Sequence, residues 1–102
     1  MFRLMVAYPT GEGHQFDFDY YCKTHMPLVE GFIGEDVIRS EVTRGVSTLG
    51  DDTPPYMAIG HIYMHTMAGF ERAVAEHLQD MLDDMPNYTN ITPVVQIEEV
   101  VE

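Results

Sequence analysis

Tyr20, Tyr21, Cys22 and His25 crowd into one short run, and they are the side chains here best suited to moving protons. Imidazole titrates near neutral pH (unperturbed pKa ~6.5) and can both donate and accept, which fits His25 as a general acid/base or ligand-orienting group. Tyr21 stands one helical turn before it on the same face. With Tyr20 close by, it offers a phenol to orient the oxygen of a polar ligand. The plain alternative is a core histidine that bonds a backbone carbonyl freed by Pro27, and the residues alone leave both readings open. Cys22 lies one turn from His25 without an evident base partner, so an activated thiol is the weaker reading.

His61, Tyr63 and His65 form a second group at i, i+2 and i+4, on one face of a strand. At ~3.3 Å per residue the two imidazoles stand ~13 Å apart, too far to share a metal ion. Either could instead join His25 across a pocket. The competing assignment leaves His65 exposed at the strand end and places His61 at an interface or cavity wall. Gly60 removes bulk in mid-strand, which suits a ligand or close backbone packing. His61, Tyr63 and Gly60, with Phe18 and Leu28 from the His25 helix, are the candidate ligand-binding residues. No metal site is expected: Asp51-Asp52 is too sparse for calcium. His14 is expected in solvent, and His77 at the edge of a helix stripe. No phosphate loop, serine elbow, or nicotinamide or flavin signature occurs, so no cofactor is expected.

The elements that must position these groups follow from periodicity. Residues 2–8 read as a strand stopped by Pro9 and a glycine turn. A helix follows, with Phe18, Tyr21, Cys22, His25, Leu28, Val29 and Phe32 at steps of three and four. Asp17 and Asp19 suit its start, Gly34 its end, and Pro27 should kink or restart it. Residues 36–46 and 56–65 read as strands. Thr66 is the expected N-cap of a second helix whose stripe runs Phe70, Ala73, Val74, His77, Leu78, Met81 and Met85, with Glu76, Asp80, Asp83 and Asp84 facing water. A last strand spans residues 92–101. The order βαββαβ is α+β and ferredoxin-like, a four-stranded antiparallel sheet with two helices on one face, and residues 1–102 read as a single domain.

Charge narrows the partners. Five Lys+Arg against seventeen Asp+Glu give a net charge of −12, so nucleic acid and anionic membrane are poor partners. One cysteine excludes an internal disulfide. Neither a signal peptide nor a membrane span is evident, and the expected location is the cytoplasm. Two helices cover one face of the sheet, yet the first and third strands carry apolar residues on both: Phe2, Leu4 and Val6 against Met5 and Ala7, Ala58 and Ile62 against Met57 and Ile59. The bare face needs a cover, and a two-fold homodimer is the simplest one.

Residues 16–29 also resemble the EthD family, named for ethyl tert-butyl ether degradation. Its motif, roughly Phe-x-x-Tyr-Tyr-x-x-x-His-x-Pro-Leu-Val, is matched by Phe16 or Phe18, Tyr20, Tyr21, His25, Pro27, Leu28 and Val29. The resemblance implies a ferredoxin-like fold that dimerises into an α/β barrel. Related barrel families include muconolactone isomerases and cofactor-free or haem-linked oxygenases, so it chooses no single reaction. The leading expectation is an EthD-like homodimer that binds a small apolar or aromatic molecule bearing a carbonyl or hydroxyl. Its chemistry would be cofactor-free acid/base work in an isomerisation, cyclisation, decarboxylation or oxygenation. Beside it stand a non-catalytic carrier or stress-associated protein sequestering a hydrophobic metabolite, and a haem-binding oxygenase-like protein using His25.

Overall fold

A computed structural model describes residues 1–50 and 52–102; Asp51, and with it half of the Asp51-Asp52 pair, lies outside the described residues. Strand β1 (Phe2–Pro9) leads into a first helical segment, α1 (residues 18–33). Strands β2 (Val37–Arg44) and β3 (Tyr56–Met64) follow, then helix α2 (Ala68–Asp84) and strand β4 (Val94–Glu99). The sheet order is β2-β3-β1-β4 and every neighbouring pair is antiparallel. This is the ferredoxin-like α+β arrangement expected from the alternation of elements.

Asp17 caps α1, its carboxylate accepting the Tyr20 N–H at 3.1 Å. The Pro27 disturbance takes a form that the periodicity did not specify. The helix neither breaks nor restarts; it widens into a π-helical stretch, Tyr21–His25, before the α-helix Met26–Ile33. The Met26 N–H reaches back five residues to the Tyr21 carbonyl. Widening the turn just before a residue with no N–H to donate is a known way to absorb it. Gly34, at φ 80°, closes the helix in a conformation that favours glycine.

Met67, not Thr66, occupies the N-cap position of α2, although the Thr66 hydroxyl oxygen does accept the first-turn Ala68 N–H at 3.3 Å. Asp36, at the end of α1's exit turn, supplies the cap instead: its Oδ2 accepts the Gly69 N–H at 2.7 Å and the Thr66 hydroxyl at 2.8 Å. The Gly69 N–H, then Thr66, hold the Asp36 carboxyl below the usual carboxylate range. A Cβ at Gly69 would meet both the Ile33 carbonyl and this carboxylate, so glycine lets the two helices join here.

Alternation along the central strands sorts the side chains. Leu4, Tyr8, Ala58, Ile62 and Met64 face the helices and form one core with Tyr21, Val29, Ile33 and Ala73. Val6 pairs with Gly60 and Val95 on that side. Across the sheet, Met5 pairs with His61 and Ala7 with Ile59, so the middle of the helix-free face is apolar. Its margins are not: Arg39, Glu41 and Thr43 from β2 and Gln96 and Glu98 from β4 rim it. Arg3 links Glu98 to the Tyr63 hydroxyl, and the Arg39 guanidinium lies 4.0 Å from the Tyr63 ring centroid. No helix among the described residues is long and apolar enough to cross a membrane.

Candidate functional site

The residues beyond α2 decide where the site forms. Pro86 turns the chain through a short 3-10 segment, Met85–Asn87, and the loop after it is stitched to the segment before α1. The Asp17 N–H donates to the Tyr88 carbonyl at 2.8 Å, and the Thr89 hydroxyl donates to the Gln15 carbonyl at 2.7 Å. Asn90 accepts the Gln15 N–H at 2.9 Å and donates to the Gly13 carbonyl at 3.0 Å. Asp84 and Tyr88 are thereby carried to His25.

His25 is buried, with both ring nitrogens engaged. Nδ1 lies 2.8 Å from Asp84 Oδ2, and Nε2 lies 3.3 Å from the Tyr88 hydroxyl. An ionised carboxylate only accepts, so Nδ1 carries the hydrogen and Nε2 accepts from Tyr88. The Tyr88 hydroxyl is 2.8 Å from that of Tyr8, and the Tyr21 ring packs edge-on against Tyr8 with centroids 5.6 Å apart. Since each hydroxyl has one hydrogen to give, the donors run Tyr8 to Tyr88 to His25 to Asp84, with Tyr21 beside Tyr8 at the head of the file. Asp84 also accepts from the Tyr20 hydroxyl at 2.6 Å and from Asn87 at 3.0 Å.

The electrostatics agree with that order. Burial pushes His25 below its ordinary imidazole value, and the Asp84 carboxylate opposes this only in part, so the resting ring is neutral. Burial pushes the Asp84 carboxyl up, but hydrogen bonds from Tyr20, His25 and Asn87 together outweigh it and hold the group ionised. Tyr8, Tyr21 and Tyr88 are all pushed upward by burial and stay protonated. The network is a neutral base with a carboxylate behind it and a file of hydroxyls before it.

His25, Tyr8, Tyr21 and Tyr88 line a cavity of about 160 Å³ between the helices and the sheet, with Asp84 outside its wall. Everything else along its wall is apolar or glycine, including Leu4, Met26, Ile62, Phe70 and Met81. Gly60 is in the wall for a specific reason: a Cβ there would overlap the Tyr21 hydroxyl. Glycine gives that hydroxyl its seat against β3.

Of the residues singled out in the sequence, the structure brings His25, Tyr21 and Gly60 together around this cavity. Tyr20 stands behind it, holding Asp84. His61 and Tyr63 lie across the sheet from it, because alternation along β3 puts them opposite Gly60; neither can meet His25 across the pocket. Phe18 packs on Phe16, ring centroids 4.8 Å apart, beneath the Arg44 guanidinium, and Leu28 is half-buried outside the cavity. His65 is exposed, as is Cys22. His14 is not left to solvent, since its Nδ1 bonds the Pro9 carbonyl at 2.8 Å, and His77 stacks on Phe32. Asp84 is a correction: expected in water, it is mostly buried against His25. Tyr8 shares the helix-facing side with Leu4 and Val6, yet neither it nor Tyr88 stood among the candidate site residues.

Among the described residues, no three His, Cys, Asp or Glu side chains stand together to hold a metal ion. The site does not fit haem. Nε2, the nitrogen left for an axial bond, is taken by Tyr88, and about 160 Å³ is roughly the room of a single benzene ring.

Fold and site define a ferredoxin-like α+β protein with a histidine–carboxylate pair and a tyrosine file in an apolar cavity. The EthD domain model matches residues 9–92, and the chain belongs to the EthD family. An EthD-like protein from Ralstonia eutropha JMP134 is 35% identical, with a TM-score of 0.90 over 99% of this chain and 92% of its own. An ethyl tert-butyl ether degradation family protein from Bacillus halodurans C-125 is 19% identical, with a TM-score of 0.67 over 99% of both chains. SnoaB, a cofactor-independent oxygenase from Streptomyces nogalater, is 13% identical and matches with a TM-score of 0.51 over 99% of this chain and 92% of its own. No curated protein matches.

Proposed function

We propose that this EthD-family protein binds a small apolar or aromatic molecule bearing a carbonyl or hydroxyl, and moves protons on it without a cofactor. The observation that carries the proposal is the His25–Asp84 pair, 2.8 Å apart, opening through Tyr88 onto an otherwise apolar cavity. The ligand gives a proton to the Tyr21 oxygen, from a hydroxyl or from carbon beside a carbonyl. Tyr21 passes its own hydrogen to Tyr8, Tyr8 to Tyr88, and Tyr88 to His25 Nε2. Asp84 stabilises the imidazolium. Tyr21 is left donating to the new enolate or phenolate oxygen, and reversing the sequence delivers the proton to a different atom. The oxygenase among the fold neighbours is described as cofactor-independent, which is in keeping with such chemistry on this scaffold.

The same reading takes the protein as a homodimer paired through its helix-free sheet face. Supporting it are the apolar middle of that face and His61, whose buried Nδ1 has no hydrogen-bond partner among the described residues. A sedimentation measurement showing a stable monomer at micromolar concentration would retire the dimer.

The functional test is a thermal-shift panel of carbonyl and hydroxyl compounds, followed by product analysis with wild type, His25→Ala and Asp84→Asn. Turnover that falls by about 10²-fold or more in both variants supports the proposal. Wild-type turnover in His25→Ala refutes it, and ligand binding with no product in any buffer assigns the protein as a carrier.

A further inference from the structure

We infer that the ligand is an uncharged amphiphile: a neutral oxygen-bearing head held at the inner end of the cavity, and an aliphatic tail leaving between α2 and β4. The inference rests on the reading of this cavity as the ligand site and adds the charge and shape of what enters it.

The head enters neutral because the resting wall has no cationic side chain to receive an anion; an enolate or phenolate arises there only together with the His25 imidazolium. The chain has five cationic side chains besides its histidines, and each is engaged elsewhere. Arg3 and Arg39 lie on the far face of the sheet with Glu98 and Glu41. Arg44 covers Phe18, Arg72 donates to the Ile33 carbonyl, and Lys23 sits beside Asp19 on the surface. What the cavity offers instead is a neutral imidazole backed by a carboxylate, and three phenols that burial keeps protonated. A carboxylate head would be stripped of water beside the Asp84 charge with no counter-ion, which costs far more than hydroxyl bonds return. A ketone, a phenol or an alcohol meets no such penalty.

The tail follows from how the wall is exposed. Tyr8, Tyr21, His25 and Tyr88 are all at most 6% exposed, so the polar end is the closed end. The wall residues open to solvent are all apolar: Leu78 at 46% and Leu82 at 47% on α2, and Val95 at 54% on the edge strand β4. Leucine and valine left half-open beside a cavity form a greasy doorway, in a chain whose surface is otherwise strongly acidic. The whole cavity, doorway included, holds about 160 Å³, room for one aromatic ring and little more. Any longer apolar substituent must pass this doorway and lie against it.

The experiment is calorimetric titration of the full chain at pH 7.5 with phenol, 4-ethylphenol, 4-butylphenol and 4-hexylphenol, and with 4-butylbenzoate as the anionic match. Affinity should rise about two- to fourfold per methylene, and 4-butylbenzoate should bind at least about a hundredfold more weakly than 4-butylphenol. Leu82→Asp should flatten the dependence on chain length. A benzoate that binds as well as the phenol overturns the neutral head. Affinity independent of chain length, or a slope unchanged in Leu82→Asp, overturns the tail. Failure of every phenol to bind at millimolar concentration overturns the ligand class as a whole. If instead the phenols bind with the expected selectivity but His25→Ala does not alter turnover of any panel compound, the acid/base reading fails and the present one survives.

Discussion

Gly60→Ala, alone and combined with Tyr21→Phe, tests whether the tyrosine file is built as described. The added methyl would overlap the Tyr21 hydroxyl, and the next atoms in its way are the ring carbons Cζ at 3.1 Å and Cε2 at 3.3 Å. Forcing a methyl into a filled core costs about 1–3 kcal/mol, offset by the roughly 0.5–1 kcal/mol that a mid-strand glycine loses relative to alanine. Gly60→Ala alone should therefore destabilise by about 1–2 kcal/mol. Tyr21→Phe alone removes a buried hydroxyl and should cost about 1 kcal/mol. In the double variant the hydroxyl is gone, and the methyl needs only a few tenths of an ångström from the ring. The pair should then cost about 1 kcal/mol in total, well short of the sum of the single changes, leaving a coupling energy of about 1–2 kcal/mol. Urea denaturation at equal m-values reads all four corners of the cycle. Additivity within about 0.5 kcal/mol would refute the account, because it would mean that the hydroxyl does not occupy the space over Gly60.

Three further outcomes follow from the same geometry. Stability should fall on acidification in two stages: His25 is depressed in the folded state, so the unfolded chain takes up its proton first and stability drops as pH falls below ~6.5. Asp84, also depressed, adds a second loss below ~4, and in His25→Gln the first stage, read by thermal unfolding across pH, should shrink. Tyr88→Phe interrupts the hydroxyl file beside Nε2 and should lower turnover by about 10²-fold while the fold, checked by circular dichroism, is kept; turnover at the wild-type rate would mean that ligand protons reach His25 directly. Asp36→Ala should lower the urea midpoint and Asp36→Asn should restore part of it, since an amide oxygen can still accept from Gly69.

Residue periodicity made the fold legible because each element carries its own signal. Apolar, β-compatible runs bounded by turn residues marked β1 and β3, a three-and-four stripe marked both helices, and Gly34 and Pro86 marked their ends. The site was legible only where its residues sat on such a stripe, as Tyr21 and His25 do. Asp84 follows Met81 by three residues and His77 by seven, so its position placed it at the edge of the buried stripe; its charge argued for water, and the charge was the wrong guide. A carboxylate can go inside when donors await it, and here they come from Tyr20, His25 and Asn87, two of them far away in the chain. Tyr88 lies in a segment with no period at all, placed by loop-to-loop hydrogen bonds that no local pattern encodes. His61 and Tyr63 illustrate the opposite error. Their parity relative to Gly60 already separated them from the helix side, and chemical suitability was allowed to outweigh it.

The π-helical stretch Tyr21–His25 gives the helix a place to hold one extra residue. One wide turn carries the Met26 N–H back to the Tyr21 carbonyl across five residues where an ordinary turn spans four, so losing any one of Cys22, Lys23 or Thr24 would let the coil tighten to a plain α turn. Tyr21 would still stand one turn above Met26 and keep its place against β3, with Val29 and Ile33 in the core. Chains related to this one should therefore tolerate a one-residue gap at these three positions without losing either the scaffold or the site.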